Sequence, residues 1–284
     1  MIDLQLLTPA SDFDEHRAAW EARVALYAEA LARHGVAVRG VTWTEAERDA
    51  PALACLAWGY HLRPAEWRGL VDGWRADVPL VNAPALLGWN TDKRYLLDLE
   101  AAGAAVVPTR FEPLADAGAL AAAREAFGTG ELVVKPRVSA AAFRTGRVGP
   151  RDPAPDLPDA MVQPFLPAVG QEGELSVFLF GGRYSHAVRK VAAPGDFRVQ
   201  REYAGRFTVV DADAEMLAVA HAAVAAAPVP PTYARVDLIR LSDGRLGVME
   251  LELIEPDLYL DLVPAAADLF AGAVASAVVG AQSA

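Results

Sequence analysis

The sequence predicts an α/β chain folded into lobes of α+β type, and three observations predict it. Strand-like and helix-like segments alternate through Val81 at the spacing of βαβ units. Two antiparallel hairpins are written into the second half, around Gly181-Gly182 and around Asp243-Gly244. A length of 284 residues, 53% of them hydrophobic, supports two or three lobes with cores of their own.

Ile2 to Leu7 reads as the first strand, followed by Thr8-Pro9 and the capping candidates Ser11 and Asp12. Residues 14–34 carry a helical stripe (Trp20, Val24, Tyr27, Leu31) stopped by Gly35. Val36–Trp43 and Ala52–Trp58 are the next strands, Pro64–Trp74 a helix and Val78–Val81 a short strand, which together make a parallel sheet. No GxGxxG turn follows a strand here, so a dinucleotide site is not supported. A helix is expected from Asn90 or Thr91 to Gly103 with Lys93 in its first turn, then a strand-like Ala105–Pro108. A helix over 117–127 precedes the strand Glu131–Val138, which carries Lys135. Residues 139–160 are rich in Ser, Gly, Pro and Arg and read as a mobile loop. Met161–Leu166 is a strand, Glu174–Phe180 and Tyr184–Val191 form the first hairpin, and a helix covers 212–227. Tyr233–Leu241 and Leu246–Ile254 form the second hairpin, a helix over 262–280 closes the chain, and no internal repeat is evident.

Composition excludes several functions. A net charge of −11 and a pI of about 4.9 oppose nucleic-acid binding. The single cysteine, Cys55, lies in an apolar run and reads as a buried structural thiol in a reducing compartment. The N-terminus lacks a basic n-region, and the alanine-rich Ala265–Val279 is short for a membrane span and carries Asp268. The expectation is a soluble, cytoplasmic protein with no membrane partner. Of 26 basic residues only Lys93, Lys135 and Lys190 are lysines. An ammonium and a guanidinium are not interchangeable, so lysines kept in an arginine-rich chain are candidates for specific work.

The second hairpin carries the densest chemistry. Counting outward from a two-residue Asp243-Gly244 turn sets Leu241 opposite Leu246, Asp237 opposite Glu250 and Arg235 opposite Glu252. Alternation then puts Arg235, Asp237, Glu250 and Glu252 on one face, and Val236, Leu238, Met249, Leu251 and Leu253 on the other as core. Facing carboxylates repel and require a cation. Oxygen ligands select a hard ion such as magnesium; a solvated acidic face is the alternative.

With these residues in view the chain resembles the ATP-grasp enzymes, the broad group of glutathione synthetases and D-alanine ligases, in order over roughly residues 80–260. The wording ELELIEP is most similar to a branch that includes the ligase closing the ring of cycloserine. The resemblance implies an N-terminal pre-ATP-grasp lobe (1–88), a small central lid lobe (89–163) and a C-terminal lobe (164–284). It implies that Lys93 and Lys135 (in VVKP) bind nucleotide phosphates and that Phe165 and Leu166 of MVQPFL meet the adenine edge, with Gln163 beside it. Glu174 matches the ribose-binding carboxylate, and Asp237, Glu250 and Glu252 match the magnesium ligands. The last is often Asn, so Glu252 adds a negative charge. The loop from Ser139 to Ala142 is small enough to let backbone amides approach phosphate.

The implied function is an ATP- and magnesium-dependent ligase. It joins a small amino-acid-like carboxylate to an amine or related nucleophile through an acyl phosphate, releasing ADP and phosphate. Arg235, Arg189 and Arg201 are the candidates for the substrate carboxylate or the transition state, with Lys190 in reserve. Trp58, Tyr60 and His61 either line the acceptor site or form an aromatic packing cluster. A phosphotransferase without ligation and a silent nucleotide-binding protein are the alternatives, and a homodimer is compatible with all of these.

Overall fold

A computed structural model describes residues 1–282. The chain builds three sheets in succession. The first is wholly parallel, in the order β2-β1-β3-β4, from β1 (Ile2–Thr8), β2 (Val36–Thr42), β3 (Ala52–Leu53) and β4 (Leu80–Val81). Between these strands run α1 (Arg17–Ala32) and α2 (Pro64–Asp72), the latter opened by its proline at the first helical position. Neither Ser11 nor Asp12 caps α1: the helix starts at Arg17 behind a left-handed His16, and Asp12 pairs with Arg63 instead. The third strand ends at Leu53, because the chain turns repeatedly from Cys55 onward. Cys55 is buried, and burial pushes its thiol pKa well up, as befits a structural residue.

The expected helix from 90 to 103 is two helices, α3 (Pro84–Asn90) and α4 (Tyr95–Ala101), with Lys93 in the turn between them. The break has a cause in burial. Asn90 gives its side chain to the backbone of Leu251 and Leu253, and Tyr95 Oη accepts from the Leu251 amide at 2.9 Å. Ala105–Pro108 contributes only a single parallel bridge, Val106 to Val248.

The second sheet has the order β5-β8-β6-β7, from β5 (Arg110–Ala115), β6 (Leu132–Pro136), β7 (Gly146–Val148) and β8 (Leu157–Pro164). One helix, α5 (Ala117–Phe127), covers it; Asp116 caps the Ala119 amide and Gly128 leaves the helix in the left-handed region. The stretch 139–160 is therefore not one loop, since it contains β7 and the start of β8.

The third sheet is antiparallel, in the order β11-β10-β9-β12-β13. Its members are β9 (Glu174–Phe180), β10 (Arg183–Val191), β11 (Arg206–Val210), β12 (Tyr233–Arg240) and β13 (Leu246–Glu252), with a short α6 (Ala168–Gln171) ahead of it. Gly181 and Gly182 both have positive φ, as a two-residue hairpin turn requires. One face is covered by α7 (Ala214–Ala225), which packs its Met216, Ala220 and Ala223 against Val177, Leu179 and Val236. The other face bears the apolar Phe178, Phe180 and Tyr233 at one end. There α8 (Ala266–Gln282) inserts Phe270 and Val274 and joins this sheet to α1 and β1 in a common core. No helix among the described residues is long and apolar enough to cross a membrane.

His186 is built into that shared core as a neutral ring. It stacks on Phe178 with centroids 4.2 Å apart, its Nε2 lies 3.0 Å from the Leu258 carbonyl, and Nδ1 lies 2.9 Å from Ser185 Oγ. Burial lowers its pKa to about 4, against the partly compensating backbone bond. The unfolded chain takes up this proton near pH ~6.5, so stability is complete above that value and falls as pH drops towards 4. The expected slope from this group is at most about 1.4 kcal/mol per pH unit. Urea unfolding between pH 7 and 5 should show it, and His186→Gln should flatten it; an unchanged slope in that variant refutes the assignment.

Candidate active site

The face that meets α8 with aromatic rings turns ionic a few residues further along the same strands. Glu174, Ser176, Lys190, Arg235, Asp237, Glu250 and Glu252 share it. All of them but Ser176 line a cavity of about 660 Å³, to which the second sheet, α1 and the turns after β3 also contribute.

The register of the second hairpin holds where it matters and by a different route from the one expected. The turn is a three-residue loop, Ser242-Asp243-Gly244, closed by Leu241 N–H to the Arg245 carbonyl at 2.8 Å, with Gly244 at φ 86°. It shifts the pairing by one, so Arg240, not Leu241, faces Leu246. A bulge between Asp237 and Leu238 then shifts it back, restoring Asp237 opposite Glu250 and Arg235 opposite Glu252. The extra residue is Met249, which lines the cavity and is not part of the opposite core.

Asp237 sits at the centre. Its Oδ1 accepts from Ser176 Oγ at 2.5 Å and Arg235 Nε at 3.1 Å, and its Oδ2 meets Arg235 Nη2 and Lys190 Nζ, each at 3.0 Å. Burial would raise its pKa, but Arg235 and Lys190 outweigh that and hold it well below the usual carboxylate range. Lys190 also contacts Glu174 directly, and burial with only a shared cation raises Glu174 to about 7. Arg235 likewise reaches Glu252, which burial and the nearby Glu250 raise to about 7 against Arg235. Glu250 pairs with Lys93 at 3.0 Å; against burial, Lys93 and Lys135 hold its pKa down. Lys93 also donates to the Ser139 carbonyl, tying the loop after β6 to the break between α3 and α4.

Lys135 differs from the others. It is buried and lines the cavity, yet among the described residues no carboxylate lies within ion-pair distance of it. Burial lowers its pKa, with Glu250 opposing. Gln163 is buried beside it on β8 and donates to Thr109 Oγ1 at 2.9 Å. Phe165 gives its amide to the Glu131 carbonyl, and with Leu166 it borders an apolar slot formed with Val107, Ile239 and Met249.

The Ser139 loop reaches over the cavity in a strained backbone. Ala141, Ala142 and Arg144 all have positive φ, between 49° and 56°, and the Phe143 ring lies 5.2 Å from His61, in the turns after β3. Trp58 and His61 line the cavity, whereas Tyr60 packs in the core against Trp67. Burial, with Lys93 adding to it, lowers His61 to about 4.

The arginine expectations divide. Arg235 is present but fully engaged by Asp237, Glu252 and the Asp257 carbonyl. Arg201 lines the cavity, 2.9 Å from Asp261 and beside Asp257. Arg189 is a correction: it is exposed and outside the cavity, because alternation along β10 sends Lys190 inward and its neighbour out. The three expected metal ligands share a face but do not gather round a point; among the described residues no group of three such side chains is spaced to hold an ion. Glu250 and Glu252, at the cavity wall, suit a hard cation, while both oxygens of Asp237 are already engaged. Sequence reasoning missed Arg23, Glu255 and Asp257. Arg23 had a signal: it interrupts the apolar stripe of α1 between Trp20 and Tyr27, and it binds Asp257 through Nε and Nη2 at 3.1 and 2.5 Å.

No family model matches the chain. It is 34% identical over 249 residues to the cycloserine biosynthesis protein DcsG of Streptomyces lavendulae, covering 77% of this chain and 80% of that one. The crystal structure of the D-cycloserine synthetase DcsG superposes with a TM-score of 0.81 at 28% identity, over 97% of this chain and 99% of the other. The ATP complex of the D-alanine–D-alanine ligase from Bacillus anthracis gives 0.66 at 16%, over 99% and 97%. The ligase PsnB, solved with a precursor variant, Mg and ADP, gives 0.66 at 16%, over 99% and 98%. The last two show likeness of fold.

The pairing pattern separates neighbours on one strand. Lys190→Met leaves Glu174 buried without its cation and should destabilise by roughly 3–5 kcal/mol. Arg189→Ala, at the surface, should change stability by no more than about 0.5 kcal/mol. Equal midpoints for the two variants in urea would overturn the inward placement of Lys190.

Proposed function

The chain belongs to the ATP-grasp superfamily of ligases, and from that membership we propose that it activates a small amino-acid-like carboxylate with ATP and magnesium. An amine or related nucleophile then displaces phosphate. The observation that carries this reading is that all three lysines of the chain line one cavity, over a floor of carboxylates. The lobe limits at residues 88 and 163 belong to the same proposal.

In this reading adenine enters the slot of Val107, Ile239 and Met249, against the Phe165 carbonyl and the Leu166 amide. Lys135, a buried cation without a protein counter-ion, and Lys93 receive the phosphates; Glu174 approaches the ribose once it exchanges Lys190 for ligand. Glu250 and Glu252, with Asp237 behind them, would hold magnesium, which when bound offsets charge on the transferred phosphoryl group. An oxygen of the substrate carboxylate forms the new bond to the γ-phosphorus as the bond to ADP breaks, leaving an acyl phosphate. The nucleophile then attacks the acyl carbon, phosphate departs, and the nucleophile's proton is lost to solvent or a cavity base. The chain supplies no covalent nucleophile: its lysines and Arg201 position the anions and neutralise charge in a water-poor site. The strained Ser139 loop, pinned by Lys93 and by Phe143 on His61, closes the top.

ATP with magnesium should raise the melting temperature, by the equivalent of about 2.7 kcal/mol at a hundredfold excess over Kd. Lys135→Ala should cut kcat by roughly 10²- to 10³-fold while leaving the urea midpoint nearly unchanged. Product analysis by mass separates ligation from simple phosphorylation. An unaltered rate at saturating ATP removes Lys135 from the site, and the absence of any nucleotide-dependent shift removes the function itself.

A further inference from the structure

We infer that Asn90 and Tyr95 are positioning residues for the phosphate end of the site. They fix the turn that carries Lys93 against the strand that carries Glu250 and Glu252, and so set where the Lys93 ammonium stands. This rests on the ligase reading, which gives Lys93 a phosphate to hold, and adds to it two residues that stand behind the site. Neither side chain lines the cavity, and both are buried.

β13 is the outermost strand of its sheet, so one row of its peptide groups has no neighbouring strand of that sheet to pair with. Residues 82–107 supply that row with partners instead. The Val248 amide donates to the Ala105 carbonyl at 2.8 Å, and the Val248 carbonyl accepts from the Val107 amide at 2.9 Å. Further along, side chains take over. The Leu251 amide donates to Tyr95 Oη at 2.9 Å, and the Leu251 carbonyl accepts from Asn90 Nδ2 at 2.8 Å. Asn90 Oδ1 accepts from the Leu253 amide at 2.9 Å, and Asn82 Nδ2 donates to the Leu253 carbonyl at 2.8 Å. Both leucines are buried, so water does not replace these partners. Asn90 thus grips the backbone on either side of Glu252, and with Tyr95 it holds both polar groups of Leu251, the residue between the two glutamates.

Lys93 lies between these two anchors. Residues 91–94 contain no glycine or proline to shape the turn. Its shape follows from Asn90 and Tyr95 being pinned to one strand while the Lys93 amide donates to the Arg137 carbonyl, just past β6, at 3.0 Å. From that backbone the Lys93 side chain reaches Glu250 at 3.0 Å and the Ser139 carbonyl. A lysine is a point charge on a flexible stem and takes its precision from the backbone that bears it. In phosphoryl transfer a displacement of about 1 Å is enough to cost roughly 10²-fold in rate. The two anchors act through Lys93 and touch no ligand themselves.

A chain with three lysines allows a direct test. The unliganded full chain, as Asn90→Leu and as Tyr95→Phe, is labelled with trace acetic anhydride. Mass spectrometry then reads the rate at Lys93 against Lys190 of the same molecule, which Glu174 and Asp237 hold. Freed from its anchors, Lys93 should label about threefold faster or more relative to Lys190. Calorimetry should show ADP with magnesium binding about tenfold more weakly to either variant. Met216→Ala, a core deletion under α7 on the opposite sheet face, controls for lost stability and should leave both readings unchanged. Tyr95→Phe removes one oxygen and keeps its ring in the core, so it carries the test where Asn90→Leu does not fold. An unchanged labelling ratio in Tyr95→Phe overturns the inference, as does an equal rise in Met216→Ala. Faster labelling with undiminished ADP affinity overturns the link to phosphate. If the unaltered chain binds no ADP, the ligase reading falls, while the labelling ratio still decides what holds Lys93.

Discussion

One face of the third sheet imposes the constraint on which the molecule depends: it is apolar under α8 and ionic a few residues further along. Phe178 and Ser176 are successive inward residues of one strand, as are Tyr233, Arg235 and Asp237 of its neighbour. Burying the apolar half drives the association of the first and third sheets, because α8 has one side on this sheet and the other on α1 and β1. The ionic half cannot be buried in that manner. It must either be hydrated or be matched charge by charge, and the strand register supplies the match.

Asp237 shows how closely that matching is tied to strand pairing. Ser176 and Arg235 reach it from adjacent positions on β9 and on its own strand, and Lys190 reaches it from β10 beyond. A slip of one residue in β12 would turn the carboxylate into the core under α7 and leave two cations uncompensated. The bulge at Met249 therefore has consequences at both ends: it corrects the phase set by a three-residue turn, and it gives the apolar slot beside Phe165 a flexible thioether wall.

Much of this was legible in the sequence, for identifiable physical reasons. Strand alternation and turn glycines are local, so the two hairpins and the shared face of Arg235, Asp237, Glu250 and Glu252 could be counted out. The counting succeeded through two offsetting shifts, neither of them visible in the residues as written. What could not be read was non-local. β5 contains a proline and no clean alternation, and the edge strand β11 is short, so neither announced itself. The break at Lys93 has no glycine or proline to mark it; it is imposed by Asn90 and Tyr95 bonding to a strand 150 and more residues away. Arg189 and Lys190 were adjacent candidates, and only the direction of β10 separates them.

Scarcity of lysine turned out to be the most economical sequence signal, and the site explains why arginine did not replace it here. The arginines near the floor are braces. Arg235 spreads its fork across Asp237, Glu252 and a backbone carbonyl, and Arg23 clamps Asp257, which are the planar, two-pronged contacts a guanidinium makes well. Such a group is committed to its scaffold. The lysines instead end in compact charges: Lys93 rests between Glu250 and a loop carbonyl, Lys190 between two acids, and Lys135 against no acid at all. A point charge on a flexible stem can leave a carboxylate for a phosphate without dismantling the wall behind it. In the proposed reaction, the division between bracing guanidiniums and point-charge ammoniums would let a buried ionic surface stay folded before its ligands arrive and still yield to them when they do.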